Sequence, residues 1–365
     1  MPAETMEIRL ALPGKGALEV ATSAFLAECG MKVNRKNPRQ YLARISSMPE
    51  LEVVFQRAAD IPALVQDGDA AFGITGYDIL AEHRGYGHDE QEEERDDEDL
   101  IILKRDLEYG HCRLVVAVPE TWIDVSNMAD LWHLAGYYQT HKRRGLRIAT
   151  KYPVLTGLFL RQHGITHCKL VSPHGALEAA PLTDTADLIV DLTETGTTLR
   201  ENHLKLLSDG VVLYSQACLI ANARLLREDA RVMRQAEIML ELIEARMAAR
   251  HRSLLTASLF GENQQELQQH VKRLNQRLRD LQTDVELRVA SAETSTPMPG
   301  DEKRCWYTLS GVVSMKGEEA ARLLEIVAVL RGAGATDITI TPLTYRFKEE
   351  SLSVRTLRER LQRRN

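Results

Sequence analysis

Nowhere does this chain hold the roughly 20 consecutive apolar residues that a helix needs to cross a bilayer, so no membrane-spanning helix is expected. The opening residues MPAETMEIRL carry neither a basic region nor an apolar core, and no secretory signal is expected there. Cysteine is sparse. The five cysteines, Cys29, Cys112, Cys168, Cys218 and Cys305, show no CxxC or metal-type spacing. That excludes a disulfide scaffold or a zinc ribbon and points to free thiols in a reducing, cytoplasmic compartment. An excess of basic charge is missing too. A formal net charge of −6 excludes a general nucleic-acid binder, which presents a basic face. What is present is ordinary globular material, 44% hydrophobic and 27% charged over 365 residues, enough for two or three domains.

The first 80 residues alternate short apolar runs with helical patterns. EIRLAL reads as a strand, PGKG as a turn, and ALEVATSAFLAECG as a helix stopped at Gly30. LEVVFQ and AAFGIT read as buried strands around the helical DIPALVQDG, which predicts a mostly parallel sheet with helices on its faces. An acidic run from Asp89 to Asp99, opposed only by Arg95, reads as a solvated surface loop. Alternation resumes through CRLVVAVP, LRIATKYPVLTGLFLRQHG, CKLVSPHGALEAA and ADLIVDLTETGTTL, a second α/β unit of normal domain size. GVVLYSQACLIAN and a long helix over about Arg224 to Arg250 complete no unit of their own and are expected to return to the first, making the second an insertion. Ligands of such folds bind at the carboxyl ends of strands.

The last part is separate. LLTASLF, a helix with Leu267, Val271, Leu274, Leu278 and Leu281 on one face, VELRVASAE, CWYTLSGVVS, GEEAARLLEIVAVLRGAG and DITITPLTYRF follow the order β-α-β-β-α-β, a ferredoxin-like α+β arrangement. The tail RTLRERLQRRN is basic and expected to fray. The resulting boundaries are 1–107 with 201–250 for a first lobe, 108–200 for a second, 251–348 for the ferredoxin-like domain and 349–365 for the tail.

Chemistry concentrates in DLTETGTTL, with four threonines and a glycine between a strand and a helix. One cap residue suffices to start a helix. Thr195, Gly196, Thr197 and Thr198 offer a surplus of donors that suits a bound anion, and a monoester phosphate has the oxygens to use them. Asp191 at the strand end suits sugar hydroxyls one step away. Glu178 lies thirteen residues earlier, at the end of another predicted strand, where it reaches the same cleft or simply favours a helix start. LPGKGAL is a second glycine-rich turn, with Lys15 inside it but without the GK[ST] of a P-loop.

LALPGKGAL, FGITGYDIL, LRIATKYP and EAAPLTDTADLIVDLTETGTTL together resemble the ATP phosphoribosyltransferase family in its long form, from about Glu7 to Phe347. The resemblance implies a two-lobed, periplasmic-binding-protein-like catalytic core with an inserted second lobe, followed by a regulatory, ACT-like domain. It implies transfer of phosphoribosyl from phosphoribosyl pyrophosphate to N1 of ATP, with Mg2+, in the first step of histidine biosynthesis. Histidine is the implied effector, and a homo-oligomer, hexamer or dimer, the implied assembly. Residue by residue, Lys15, Glu178 and Asp191 take catalytic positions. Thr195, Gly196, Thr197 and Thr198 bind the phosphoribosyl group, while Asp78 and Arg57 line the nucleotide and pyrophosphate side. The chain departs from the pattern at Asp184, where the signature has glycine, and at Gly157, where a longer basic side chain is expected. Two other readings stay open on the residues alone. A salvage-type phosphoribosyltransferase has two adjacent acids where this strand end has one, and a non-catalytic two-lobed sensor has no need of Lys15, Glu178 and Asp191.

Overall fold

The computed structural model describes residues 7–37, 39–85, 99–172, 176–261, 264–281, 283, 285–294 and 305–362. The chain divides into two units, Met1–Leu240 with Ser353–Asn365, and Glu241–Leu352. Most of the acidic run, and the Pro/Gly-rich stretch 295–304, lie outside the described residues.

The strands of the first unit are β1 (Ile8–Pro13), β2 (Val33–Asn34), β3 (Leu42–Ile45), β4 (Met48–Gln56), β5 (Phe72–Gly76), β6 (Leu100–Lys104), β7 (Cys112–Pro119), β8 (Leu146–Thr150), β9 (Cys168–Val171), β10 (Leu188–Thr193), β11 (Leu204–Ser215) and β12 (Ala217–Asn222). One sheet runs β2-β3-β4-β1-β5-β12-β6 and the other β11-β7-β10-β8-β9. The chain thus leaves the first sheet after Lys104 and returns at Ala217, the two-lobed, binding-protein-like core with an inserted lobe. The return comes later than expected. β11 stays in the second sheet through Ser215, which pairs with Cys112, so the second lobe extends past residue 200.

The first sheet is mixed rather than mostly parallel. Only β4, β1 and β5 run parallel. β2 and β3 form an antiparallel meander at one edge, and β12 and β6 run antiparallel at the other. The β3–β4 hairpin turns on Ser46-Ser47, which lacks the Asn-Gly type of turn signal that marks a hairpin in sequence. Both faces of the central strands are covered, with Leu10, Val53, Phe72 and Ile74 buried on one and Ala11 and Gly73 buried on the other. Gly73 makes that covering possible, because a Cβ there would lie 2.5 Å from Ile61 Cγ2 and 2.9 Å from Val65 Cγ2 of the helix Ile61–Gln66.

The long helix expected over Arg224 to Arg250 is two, Ala223–Glu228 and Ala230–Ala249. Asp229 breaks it in an extended conformation (φ −120°), and its carboxylate accepts the Arg231 N–H at 2.8 Å, the role of an N-cap. The described part of the tail, to residue 362, does not fray. Leu352–Gln362 is a helix of the first unit, with Val354 and Leu357 buried, Arg358 paired with Glu237 at 2.7 Å and Arg360 donating to the Ile102 carbonyl at 3.0 Å. Its many charges hide a two-residue apolar contact that is enough to dock it.

The second unit contains β13 (Arg252–Gly261), β14 (Arg288–Thr294), β15 (Cys305–Ser314) and β16 (Thr336–Pro342), in the order β14-β15-β13-β16, all antiparallel. With the helices Gln264–Asp280, Gly317–Ala321 and Leu323–Gly332 this is the ferredoxin-like order read from the sequence. Leu255, Ala257 and Leu259 pack with Leu267, Val271, Leu274 and Leu278 in its core.

Candidate active site

Because β1, β4 and β5 are parallel, their carboxyl ends share one sheet edge. Lys15 lies in the turn after β1 and Arg57 directly after β4, and both are exposed. The Gly14 N–H donates to the Gln56 carbonyl at 2.7 Å and ties the lysine turn to the end of β4, beside Arg57. Asp78, in the helix Tyr77–Arg84 after β5, is not part of that exposed group. It is buried, with 4% of its surface exposed. The Ser215 hydroxyl donates to Oδ1 at 2.6 Å and the Tyr152 hydroxyl to Oδ2 at 2.6 Å. Its backbone N–H donates to Ser215 Oγ at 2.9 Å. Both carboxylate oxygens are therefore engaged by the protein.

In the second lobe β8 and β10 are parallel neighbours and Val190 pairs with Thr150. Asp191 consequently comes level with Lys151. Asp191 is half-buried, and its Oδ1 accepts the Leu192 N–H at 2.8 Å. Burial raises its carboxyl above the usual range, the Leu192 bond and the Lys151 ammonium oppose that rise, and the Glu178 carboxylate adds to it. Glu178 sits in a single 3₁₀ turn, Leu177–Ala179, rather than in a full helix. The sequence reading passed over Lys151, although it is the first residue after β8, whose neighbour β10 carries Asp191. It passed over Tyr152 and Ser215 as well, whose partner in the fold is Asp78.

The threonine loop spends part of its donor surplus on itself. Gly196 adopts φ +77°, a left-handed conformation that strains any side chain, and donates its N–H to Thr193 Oγ1 at 2.8 Å. The Thr195 and Thr197 hydroxyls bond each other at 2.9 Å, and Arg200 donates to Thr197 Oγ1 at 3.3 Å. Thr198 is exposed, and its hydroxyl has no partner among the described residues. The helix that follows, Thr197–Glu201, is only five residues long, so the macrodipole argument is weak here and the donors themselves carry any anion binding. Asp184 adopts φ +53°, the region glycine favours, which explains the glycine of the family pattern. Its carbonyl accepts from Arg147 Nη1 at 2.6 Å.

Burial, and then the charge of Asp78, push Cys112 up to about 11 and Cys218 up to about 12, so both stay protonated at neutral pH. Among the described residues no group of three or more His, Cys, Asp or Glu forms a metal cluster. Glu178, Asp191 and the exposed Glu194 are carboxylates of this region, a sparse oxygen set that suits a divalent cation taking most of its oxygens from a phosphorylated substrate.

The family model described as ATP phosphoribosyltransferase (HisG) matches residues 57–248. ATP phosphoribosyltransferase 2, chloroplastic, of Arabidopsis thaliana is 36% identical over 349 residues, covering 94% of this chain and 78% of that protein. ATP phosphoribosyltransferase of Brucella anthropi is 43% identical over 229 residues, covering 62% of this chain and 94% of the relative. The solved ATP phosphoribosyl transferase (HisG:HisZ) complex from Thermotoga maritima aligns with 26% identity and a TM-score of 0.46, over 65% of this chain and 98% of that chain. With the family model spanning more than half of the chain, and a relative above one third identical along nearly all of it, the chain belongs to the ATP phosphoribosyltransferase family.

Proposed function

We propose that this enzyme transfers the phosphoribosyl group of phosphoribosyl pyrophosphate to N1 of the adenine of ATP, releasing pyrophosphate, as the first step of histidine biosynthesis. The observation that carries this reading is the pairing of two strand edges through the Tyr152–Asp78 hydrogen bond. One edge bears the exposed cations Lys15 and Arg57, and the other bears Glu178, Asp191 and the threonine loop. The bond from C1 to pyrophosphate loosens as the adenine nitrogen approaches, so positive charge grows on the ribose and negative charge on the leaving group. Asp191 and Glu178 face the first, accepting from ribose hydroxyls and opposing the cationic sugar. Lys15 and Arg57 face the second. Thr195, Gly196, Thr197 and Thr198 hold the 5-phosphate, with Thr198 the hydroxyl least committed to the loop itself. Holding two anionic substrates in one cleft supplies orientation worth roughly 7–11 kcal/mol. Mg2+ fits this sparse carboxylate set, and when bound it neutralises charge on the pyrophosphate.

We further propose that Glu241–Leu352 is a regulatory unit, with histidine as effector, in a homo-oligomer that is a hexamer or a dimer. Its sheet is open at β14 and β16, and its Phe260 and Trp306 rings, 5.6 Å apart, are both more than a third exposed. A cytoplasmic location fits the free thiols, and no described helix is long and apolar enough to cross a membrane. Family membership sets aside the salvage-type and sensor readings.

The test is pyrophosphate release with ATP, phosphoribosyl pyrophosphate and Mg2+. Release that requires all three is expected. Release with free bases in place of ATP overturns the substrate assignment. Added histidine should slow release, and an unchanged rate removes it as effector.

A further inference from the structure

The helix Tyr77–Arg84 carries two carboxylates one turn apart, Asp78 and Glu82, on one face. Both reach into the second lobe at a single corner. Asp78 takes the Tyr152 hydroxyl at 2.6 Å. Glu82 accepts the Val154 N–H at 2.8 Å and the Leu155 N–H at 2.9 Å, so a carboxylate from one lobe caps the helix Pro153–Gln162 of the other. The corner is also braced from within, because Thr150 Oγ1 accepts the Tyr152 N–H at 2.9 Å and lies 3.3 Å from Thr156 Oγ1. Ser215, the last residue of β11, holds Asp78 from the returning chain. Burial, and then the Asp78 charge, keep the Tyr152 phenol protonated, so the hydroxyl is always the donor to the carboxylate.

Lys151 lies between two fixed residues, Thr150 and Tyr152. It is exposed, and the strand register brings it level with Asp191. We propose that Lys151 is a further binding residue for the anionic sugar substrate, and that Asp78, Glu82 and Tyr152 are positioning residues that act through the corner at 150–155 to hold its ammonium beside Asp191. This rests on the reading of the cleft as a phosphoribosyl pyrophosphate site. An ammonium there has two physical effects. It favours the ionised form of the half-buried Asp191, and it offsets the repulsion that Asp191 and Glu178 exert on an approaching phosphate. Asp78, with both oxygens bonded inside the protein, acts from behind the site instead of touching substrate.

The experiment is a double-mutant cycle on the full chain, using Lys151→Met, Tyr152→Phe and the pair. It is read by equilibrium titration with phosphoribosyl pyrophosphate, by KM for each substrate and by thermal midpoint. Lys151→Met should weaken phosphoribosyl pyrophosphate binding about tenfold or more, the loss of an interaction with a charged group, while KM for ATP stays within about twofold. Lys151→Arg should recover most of that loss. Tyr152→Phe should weaken the same substrate in the same direction, and in the Lys151→Met background it should add nothing, because the phenol acts through the lysine. Independent, multiplying effects overturn the proposal. So does a Tyr152→Phe variant that loses thermal stability while its affinity for phosphoribosyl pyrophosphate is unchanged. A wild-type chain that binds the sugar substrate but releases no pyrophosphate with ATP overturns the proposed reaction and leaves this cycle readable. A wild-type chain that does not bind the sugar substrate overturns both.

Discussion

Asp78 and Asp191 both lie near the carboxyl end of a strand, Asp78 two residues past β5 and Asp191 two residues before the end of β10, and their surroundings are opposite. Asp78 is buried and saturated, holding a hydroxyl on each oxygen. Asp191 is half-buried, with one hydrogen bond, from Leu192, among the described residues, and burial holds its carboxyl above the usual range. The first is a structural acid that stabilises the fold through the bonds it accepts. The second carries a burial cost that the Leu192 N–H and the Lys151 ammonium oppose. Position at a strand end does not separate these roles; the number of protein donors around each oxygen does.

The sharpest way to break the comparison is Asp191→Asn. We expect kcat to fall about 100-fold or more, the scale seen when one group that stabilises developing charge is removed. The thermal midpoint at pH 7 should hold or rise. The sign follows from linkage. A carboxyl whose folded pKa is raised disfavours the folded state at pH values above that pKa, and the cost fades as pH falls through it. Asparagine removes the cost, so its stability advantage should be largest near neutrality and vanish toward pH about 3.9, the ordinary aspartate value. An activity that needs ionised Asp191 should likewise fall off on the acid side at a pH above that value. A pH–rate profile and a melting series on the one variant check both.

Asp78→Asn should move stability the other way. It weakens two buried hydrogen bonds to a charged acceptor, each worth about 1.5–3 kcal/mol, and the thermal midpoint should drop by several degrees. If both asparagine variants shift the melting temperature in the same direction, the contrast between the two acids is wrong.

Thr198→Ala tests the loop beside Asp191 at the next size down. Loss of a hydrogen bond to a charged phosphate predicts about a tenfold rise in KM for phosphoribosyl pyrophosphate, with the melting temperature unchanged. An unchanged KM removes Thr198 from the site.

The smallest effect belongs to a third acid, Asp184, which is exposed and left-handed. Asp184→Gly relieves its φ of +53° and gives up an ion pair with Arg147 whose aspartate side chain is 91% exposed. Net stability should change by less than about 1 kcal/mol, with kinetics unaltered. A kinetic defect would mean that this turn shapes the site.

Much of the frame was legible in advance because its signals are local. Apolar runs at β1, β4 and β5, the glycine stops and the β-α-β-β-α-β order of the second unit all follow from periodicity and turn chemistry within a dozen residues. The misreadings have equally specific causes. β2 and β3 are only two and four residues long and the β3–β4 turn is Ser46-Ser47, so neither period nor turn residue announced them. The tail helix is bound by Val354 and Leu357 against a surface no local pattern describes. The break at Asp229 hides in an otherwise continuous helical pattern, since one capping side chain outweighs the propensity of its neighbours.

What the sequence determined by itself was the element order, the Thr-Gly loop and the presence of acids and cations at strand ends, because hydrophobic period, φ preference and side-chain chemistry are properties of nearby residues. Only the tertiary structure decided which acid is spent. Asp78 finds its partners 74 residues away at Tyr152 and 137 residues away at Ser215, and Asp191 comes level with Lys151 only when β8 and β10 pair. Burial and hydrogen-bond saturation are set by contacts distant in the chain, and those contacts separate the two carboxylates.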